Sequence, residues 1–137
     1  VHSLAKLLSH YDVTLNYVSP KSLGMPTEVK EAVTVGQHET TDLESVLPST
    51  DVLYVTRVQQ ERFPSKAAYA QAKGKYVVTP ESLEPAKADL VVMHPLPRVD
   101  EIDRRVDADP RAAYFREVKN GLYVRMALLA MVLDGAD

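Results

Sequence analysis

Cysteine is absent from the 137-residue chain. That excludes a disulfide scaffold, a cysteine-ligated zinc site and a thiol nucleophile. A strong excess of one charge is missing too: 16 basic residues face 19 acidic ones, a formal net charge of −3. Nucleic acid and an anionic membrane surface are therefore poor candidates for the main partner. A membrane-spanning helix needs roughly 18 or more consecutive apolar residues, and the longest run, Met126 to Leu133, has eight. The four histidines, His2, His10, His38 and His94, share no ligand spacing, so no metal is expected. Neither a G-x-G-x-x-G nor a Walker-type loop occurs, which weakens dinucleotide and nucleoside triphosphate binding. A G-x-S-x-G elbow is lacking as well, so a hydrolase serine is unsupported. There is no initiating methionine and no basic-then-apolar leader; the chain starts at Val1 inside a helix-like pattern. The expectation is a piece of something larger.

What is present is a 45% apolar composition, enough for one sizeable core. Strand-like and helix-like segments alternate. Leu4, Leu7 and Leu8 have helical spacing, and Val13 to Val18 is rich in strand formers. Pro26 suits the first turn of a helix carrying Val29, Ala32 and Val33. The polar stretch Gln37 to Thr41 has room for a short strand. Asp42 is a helix cap for a brief helix through Val46 and Leu47 that Pro48 ends. Asp51 to Thr56 and Asp89 to His94 read as strands buried on both faces, with a shorter one at Tyr76 to Val78. A helix is expected through Ala67 to Ala70, and another after the Thr79-Pro80-Glu81 cap. A long closing helix spans Ala113 to Leu133, its Met126, Leu128, Leu129, Met131 and Leu133 expected in the core. The alternation predicts an open, doubly wound (Rossmann-like) parallel α/β sheet with helices on both faces.

Ligands of such sheets bind on loops leaving the carboxyl ends of strands. Two of those loops are rich in polar groups. Arg57 lies just past a buried strand, where its guanidinium can grip a carboxylate or phosphate with two parallel hydrogen bonds. Gln59 falls on the same side of an extended segment and adds an amide. The plainer alternative is a solvated cluster of Arg57, Glu61 and Arg62 that pins the loop. In the second loop, His94 precedes Pro95-Leu96-Pro97, where two prolines stiffen the backbone and remove two N–H groups. The carbonyls of Pro95 and Leu96 can then accept from an external amide, and His94 can donate to a developing oxyanion. The plainer alternative here is a strand end whose histidine bonds a neighbouring backbone group.

The strings Leu53-Tyr54-Val55-Thr56-Arg57-Val58-Gln59-Gln60-Glu61-Arg62 and His94-Pro95-Leu96-Pro97-Arg98-Val99-Asp100-Glu101-Ile102 resemble the aspartate carbamoyltransferase family. So do the opening Val1-His2-Ser3-Leu4 and the segment Asn120 to Leu129. The resemblance runs in order over essentially the whole chain. Proline at position 95, where the sister ornithine enzymes have cysteine, favours aspartate as substrate. Asp109 to Phe115 looks closest to the version within multifunctional pyrimidine-pathway proteins.

The resemblance implies two α/β domains per complete chain, of which residues 1–137 form the aspartate-binding one. The Ser-Thr-Arg-Thr loop that grips carbamoyl phosphate in the family does not occur in the sequence. By resemblance, Arg57 holds a carboxylate of L-aspartate, with Gln59 and the Leu96 backbone orienting the substrate. His94 faces the carbonyl oxygen of carbamoyl phosphate, while the Pro95 and Leu96 carbonyls orient its NH2 group. Glu61 and Arg98 serve loop geometry and domain closure. The implied reaction is carbamoyl transfer to the aspartate amino group, without metal or organic cofactor, in a cytoplasmic homotrimer of complete chains. The competing reading is a non-catalytic α/β ligand-binding or interaction module. A receiver domain fits poorly, since Asp51 and Asp89 begin their strands instead of ending them.

Overall fold

A short helix and then two strands joined through a second helix begin the chain. The computed structural model describes residues 1–57, 65, 67, 69, 74 and 76–135. They divide into two units, one comprising Val1–Val46 and Gln59–Tyr76, the other Leu47–Val58 and Val77–Asp137.

In the first unit, α1 (His2–Leu8) is followed by β1 (Thr14–Val18), α2 (Thr27–Glu31) and β2 (Gly36–Thr40). Pro26 stands at the N-cap of α2, one residue before the expected position. β1 and β2 pair in parallel, from Thr14 opposite Gly36 to Val18 opposite Thr40. A parallel pair needs a crossover, which the segment containing α2 supplies. Ala5, Val29 and Val33 are buried, with Leu15, Tyr17, Met25 and Val35 packed on them. Leu7 is exposed, so α1 turns Ala5 inward in place of a full leucine face. The polar strand β2 is stable because its side chains find partners. Gln37 donates from Nε2 to the carbonyls of Lys30 and Val33, at 3.1 and 3.0 Å, and accepts from the Tyr17 hydroxyl at 3.0 Å. Those carbonyls belong to the end of the α2 segment, where helix acceptors otherwise go unpaired. Glu39 pairs with Lys30 at 2.6 Å.

In the second unit, β3 (Val52–Tyr54) and β4 (Val91–Met93) pair in parallel, Val52 opposite Val91 and Tyr54 opposite Met93. The Val55 amide extends the ladder by donating to the Met93 carbonyl at 2.9 Å. On its other side β4 makes a parallel bridge from Val92 to Ala112, and Val78 bridges Ile102 likewise. Leu47, Val78, Leu83, Leu90, Val92, Ile102, Val106 and Tyr114 are buried here. The 20-residue helix α3 (Tyr114–Leu133) closes the unit. Ala67 and Tyr69 are helical as expected, while Ala68 and Ala70 lie outside the described residues.

The α/β class and the parallel sense agree with the sequence. Several details differ. Asp42 does cap, accepting from the amides of Glu44 and Ser45, but a turn and a 3-10 segment (Leu47–Ser49) follow in place of an α-helix. Thr79 Oγ1 accepts from the Ser82 amide, yet residues 80–85 form only successive turns. Pro85 explains this, because in a helix its ring would meet the carbonyl four residues back. Val52 is 54% exposed, so β3 is not covered on both faces. The largest difference is α3. Its Met126, Leu128, Leu129, Met131 and Leu133, expected in the core, are all exposed. Apolar residues surround the helix on every side, so it has no polar face to turn outward.

Candidate functional site

The parallel register of β3 and β4 sends two loops from the same strand ends: Arg57 lies three residues past Tyr54, and His94 one residue past Met93. Arg57 is exposed. Gln59 and Glu61 lie outside the described residues.

The second loop is organised around two buried polar side chains. His94 is 1% exposed and Glu101 6%. The Leu96 amide donates to His94 Nδ1 at 2.8 Å, so that nitrogen carries a lone pair. The ring proton therefore sits on Nε2, which donates to Glu101 Oε1 at 2.7 Å. Glu101 Oε2 accepts from the amides of Val99 and Asp100, at 3.2 and 3.1 Å. Burial alone would raise the Glu101 pKa. Hydrogen bonds from its own amide, from His94 and from the amides of Val99 and Asp100 outweigh that, leaving it below its ordinary value. The His94 amide donates to Glu117 Oε2 at 2.9 Å, from the first turn of α3. Leu96 has a φ of 44°, in the left-handed region that non-glycine residues rarely adopt, and the Leu96–Pro97 bond is cis.

His94 thus has both ring nitrogens occupied, and no ring N–H is left over for a substrate oxygen. Arg98 is likewise committed. Its guanidinium forms a two-pronged pair with Asp107, donates to the Tyr114 hydroxyl at 3.1 Å and lies over the Tyr114 ring, 5.3 Å from its centre. Burial, then the hydrogen bond to Asp107, pushes the Tyr114 pKa up to about 12. Pro95 is exposed and Leu96 half-buried. Among the described residues the backbone carbonyls of both accept no hydrogen bond.

Glu101, Glu117, Asp107 and Tyr114, to which the sequence alone assigns no role, all shape this loop. Glu101 lies within the His94 to Ile102 string, so its place is visible in the sequence; Glu117 is 23 residues from His94, and nothing local pairs them. Among the described residues, no three His, Cys, Asp or Glu side chains gather as a metal would require, and no helix is long and apolar enough to cross a membrane.

A parallel α/β chain with polar groups concentrated on the loops beyond adjacent strand ends is a ligand-binding domain of the open-sheet kind. The chain belongs to the aspartate/ornithine carbamoyltransferase Asp/Orn binding domain family, whose model matches residues 1–132. It is 56% identical over 135 residues to multifunctional protein pyr1-3 of Dictyostelium discoideum, covering 96% of this chain and 6% of that protein. It is 53% identical over 136 residues to the aspartate carbamoyltransferase catalytic subunit of Thermococcus onnurineus, covering 97% of this chain and 44% of that one. The solved aspartate transcarbamoylase of Trypanosoma cruzi, in complex with carbamoyl phosphate and aspartate, superposes with a TM-score of 0.84 at 42% identity. That match covers 93% of this chain and 44% of the other. The chain therefore spans less than half the length of these relatives.

Proposed function

We propose that residues 1–137 are the aspartate-binding half of an aspartate carbamoyltransferase of pyrimidine biosynthesis, completed by a carbamoyl-phosphate domain. The observation that carries this is the pair of carbonyls, Pro95 and Leu96, that accept no hydrogen bond among the described residues, on a loop leaving the same strand ends as Arg57. In this reading Arg57 binds a carboxylate of L-aspartate, and Gln59 and the Leu96 backbone orient it. The carbonyls of Pro95 and Leu96 accept from the NH2 of carbamoyl phosphate. Glu61 and Arg98 hold loop geometry. The neutral amine of aspartate attacks the carbamoyl carbon, a tetrahedral oxyanion forms, and the C–O bond to phosphate breaks. The amine proton passes to the departing phosphate, giving N-carbamoyl-L-aspartate and hydrogen phosphate. Orientation and electrostatics supply the rate without metal or cofactor.

The apolar surface of α3 supports a covering domain: Leu122, Met126, Leu129 and Leu133 form one stripe, all exposed within this chain. The complete protein is read as a cytoplasmic homotrimer. Calorimetry of the complete chain with a bisubstrate mimic joining a phosphonate to aspartate tests the reading. Tight binding, weakened about 10²-fold or more by Arg57→Ala, is expected from loss of a charge-assisted two-pronged contact. No binding to the complete chain would leave the non-catalytic module as the better description.

A further inference from the structure

We infer that His94 and Glu101 are positioning residues: a buried pair that sets the backbone path of Pro95 and Leu96 without touching substrate. The inference rests on the proposed carbamoyl-transfer reading.

Of the amides on residues 94–100, that of His94 goes to Glu117, that of Leu96 to His94, and those of Val99 and Asp100 to Glu101. Pro95 and Pro97 have no N–H to place. Three side chains therefore take the amides of His94, Leu96, Val99 and Asp100, with that of Arg98 outside the set, while among the described residues the Pro95 and Leu96 carbonyls accept no hydrogen bond. A loop built this way presents acceptors, as recognition of an NH2 group requires.

The Leu96 conformation fits the same role. A non-glycine residue at φ 44° persists only when its surroundings hold it there. The bond from its amide to His94 Nδ1 does so, and that bond requires an unprotonated Nδ1. Glu101 enforces this tautomer, because its carboxylate takes the proton-bearing Nε2. With both atoms of the pair buried, solvent does not compete. An isolated histidine would interchange tautomers and release the Leu96 amide.

Two substitutions in the complete two-domain enzyme separate positioning from direct donation. His94→Asn keeps an acceptor near the Nδ1 place but loses the Nε2 donor; His94→Gln does the reverse. Positioning predicts that Asn retains most of kcat/KM, while Gln loses about 10²-fold, the scale of a misplaced contact. The Gln variant should also bind the phosphonate–aspartate mimic more weakly. Glu101→Gln should fall with it, since an amide cannot accept from His94 and both loop amides without facing one donor to another.

If His94 instead donates to the oxyanion, the order inverts. Gln then outperforms Asn, or both lose about 10²–10³-fold in kcat with KM unchanged. Freeing the ring by Glu101→Gln would then preserve or raise kcat. A purely structural pair would lower the melting temperature and leave kcat/KM and mimic affinity of the folded variants at wild-type values. Either result overturns the inference. Wild-type enzyme that neither turns over nor binds the mimic would overturn the underlying reading instead, which keeps the two failures apart.

Discussion

In the loop 94–101 a histidine and a carboxylate are 1% and 6% exposed, while in α3 Leu122, Met126, Leu129 and Leu133 are each more than half exposed. Residue type alone would assign the opposite. The loop can bury its polar groups because each has a partner: the imidazole meets a carboxylate and an amide, and the carboxylate meets two more amides. The helix exposes its apolar groups because only its N-terminal end, at the cap residue Ala113 and at Tyr114, reaches the buried interior of the second unit. Buried polarity here goes with a complete set of partners, and exposed apolarity with the lack of an apolar neighbour among the described residues.

The contrast breaks most sharply at His94. Removing the ring by His94→Ala strands the Glu101 carboxylate and the Leu96 amide. Loss of one partner from a buried pair costs about 3–5 kcal/mol, measurable as a lowered denaturation midpoint of the complete protein. A loss under about 1 kcal/mol would mean that the pair is replaced by water without consequence. In α3, Met126→Gln should destabilise the complete protein by about 1–3 kcal/mol if a covering domain buries that stripe. A change within about 0.5 kcal/mol, as for an ordinary surface site, would show that the stripe stays exposed.

The smallest effect is a pH dependence. Glu101 is held below its ordinary value. Its contribution to stability is therefore complete above the unfolded carboxyl pKa of about 4.3 and drains away as pH falls through the lower folded value. Glu101→Gln should flatten acid destabilisation in that window, read from denaturation midpoints at successive pH values. An unchanged slope would assign the acid sensitivity to other carboxylates, such as Asp107 beside Arg98.

Much of this was legible beforehand. The parallel strands at Thr14–Val18 and Val91–Met93 follow from short β-rich runs, and even the polar β2 lay where the gap between helices left room for it. Helix lengths were less legible, because a cap at Asp42 or Thr79 starts a turn whether or not a helix continues. Pro85 then stops the second one. The fate of α3 could not be read at all, since an apolar helix has the same sequence whether it lies in a core or on a surface awaiting cover. Arg57 and the Pro95–Leu96 carbonyls were readable as strand-end chemistry. The wiring of His94 was not, for an imidazole has two nitrogens and the chain does not say which partners they meet.

By itself, then, the sequence determined the α/β class, the family and the two loops that carry polar groups, because those depend on local periodicity and on short strings of residues. Only the tertiary structure decided the tautomer of His94, the partners of Glu101 and Arg98, and the exposure of α3. These depend on contacts between residues as far apart as His94 and Glu117, and on whether apolar surface finds a neighbour within the chain.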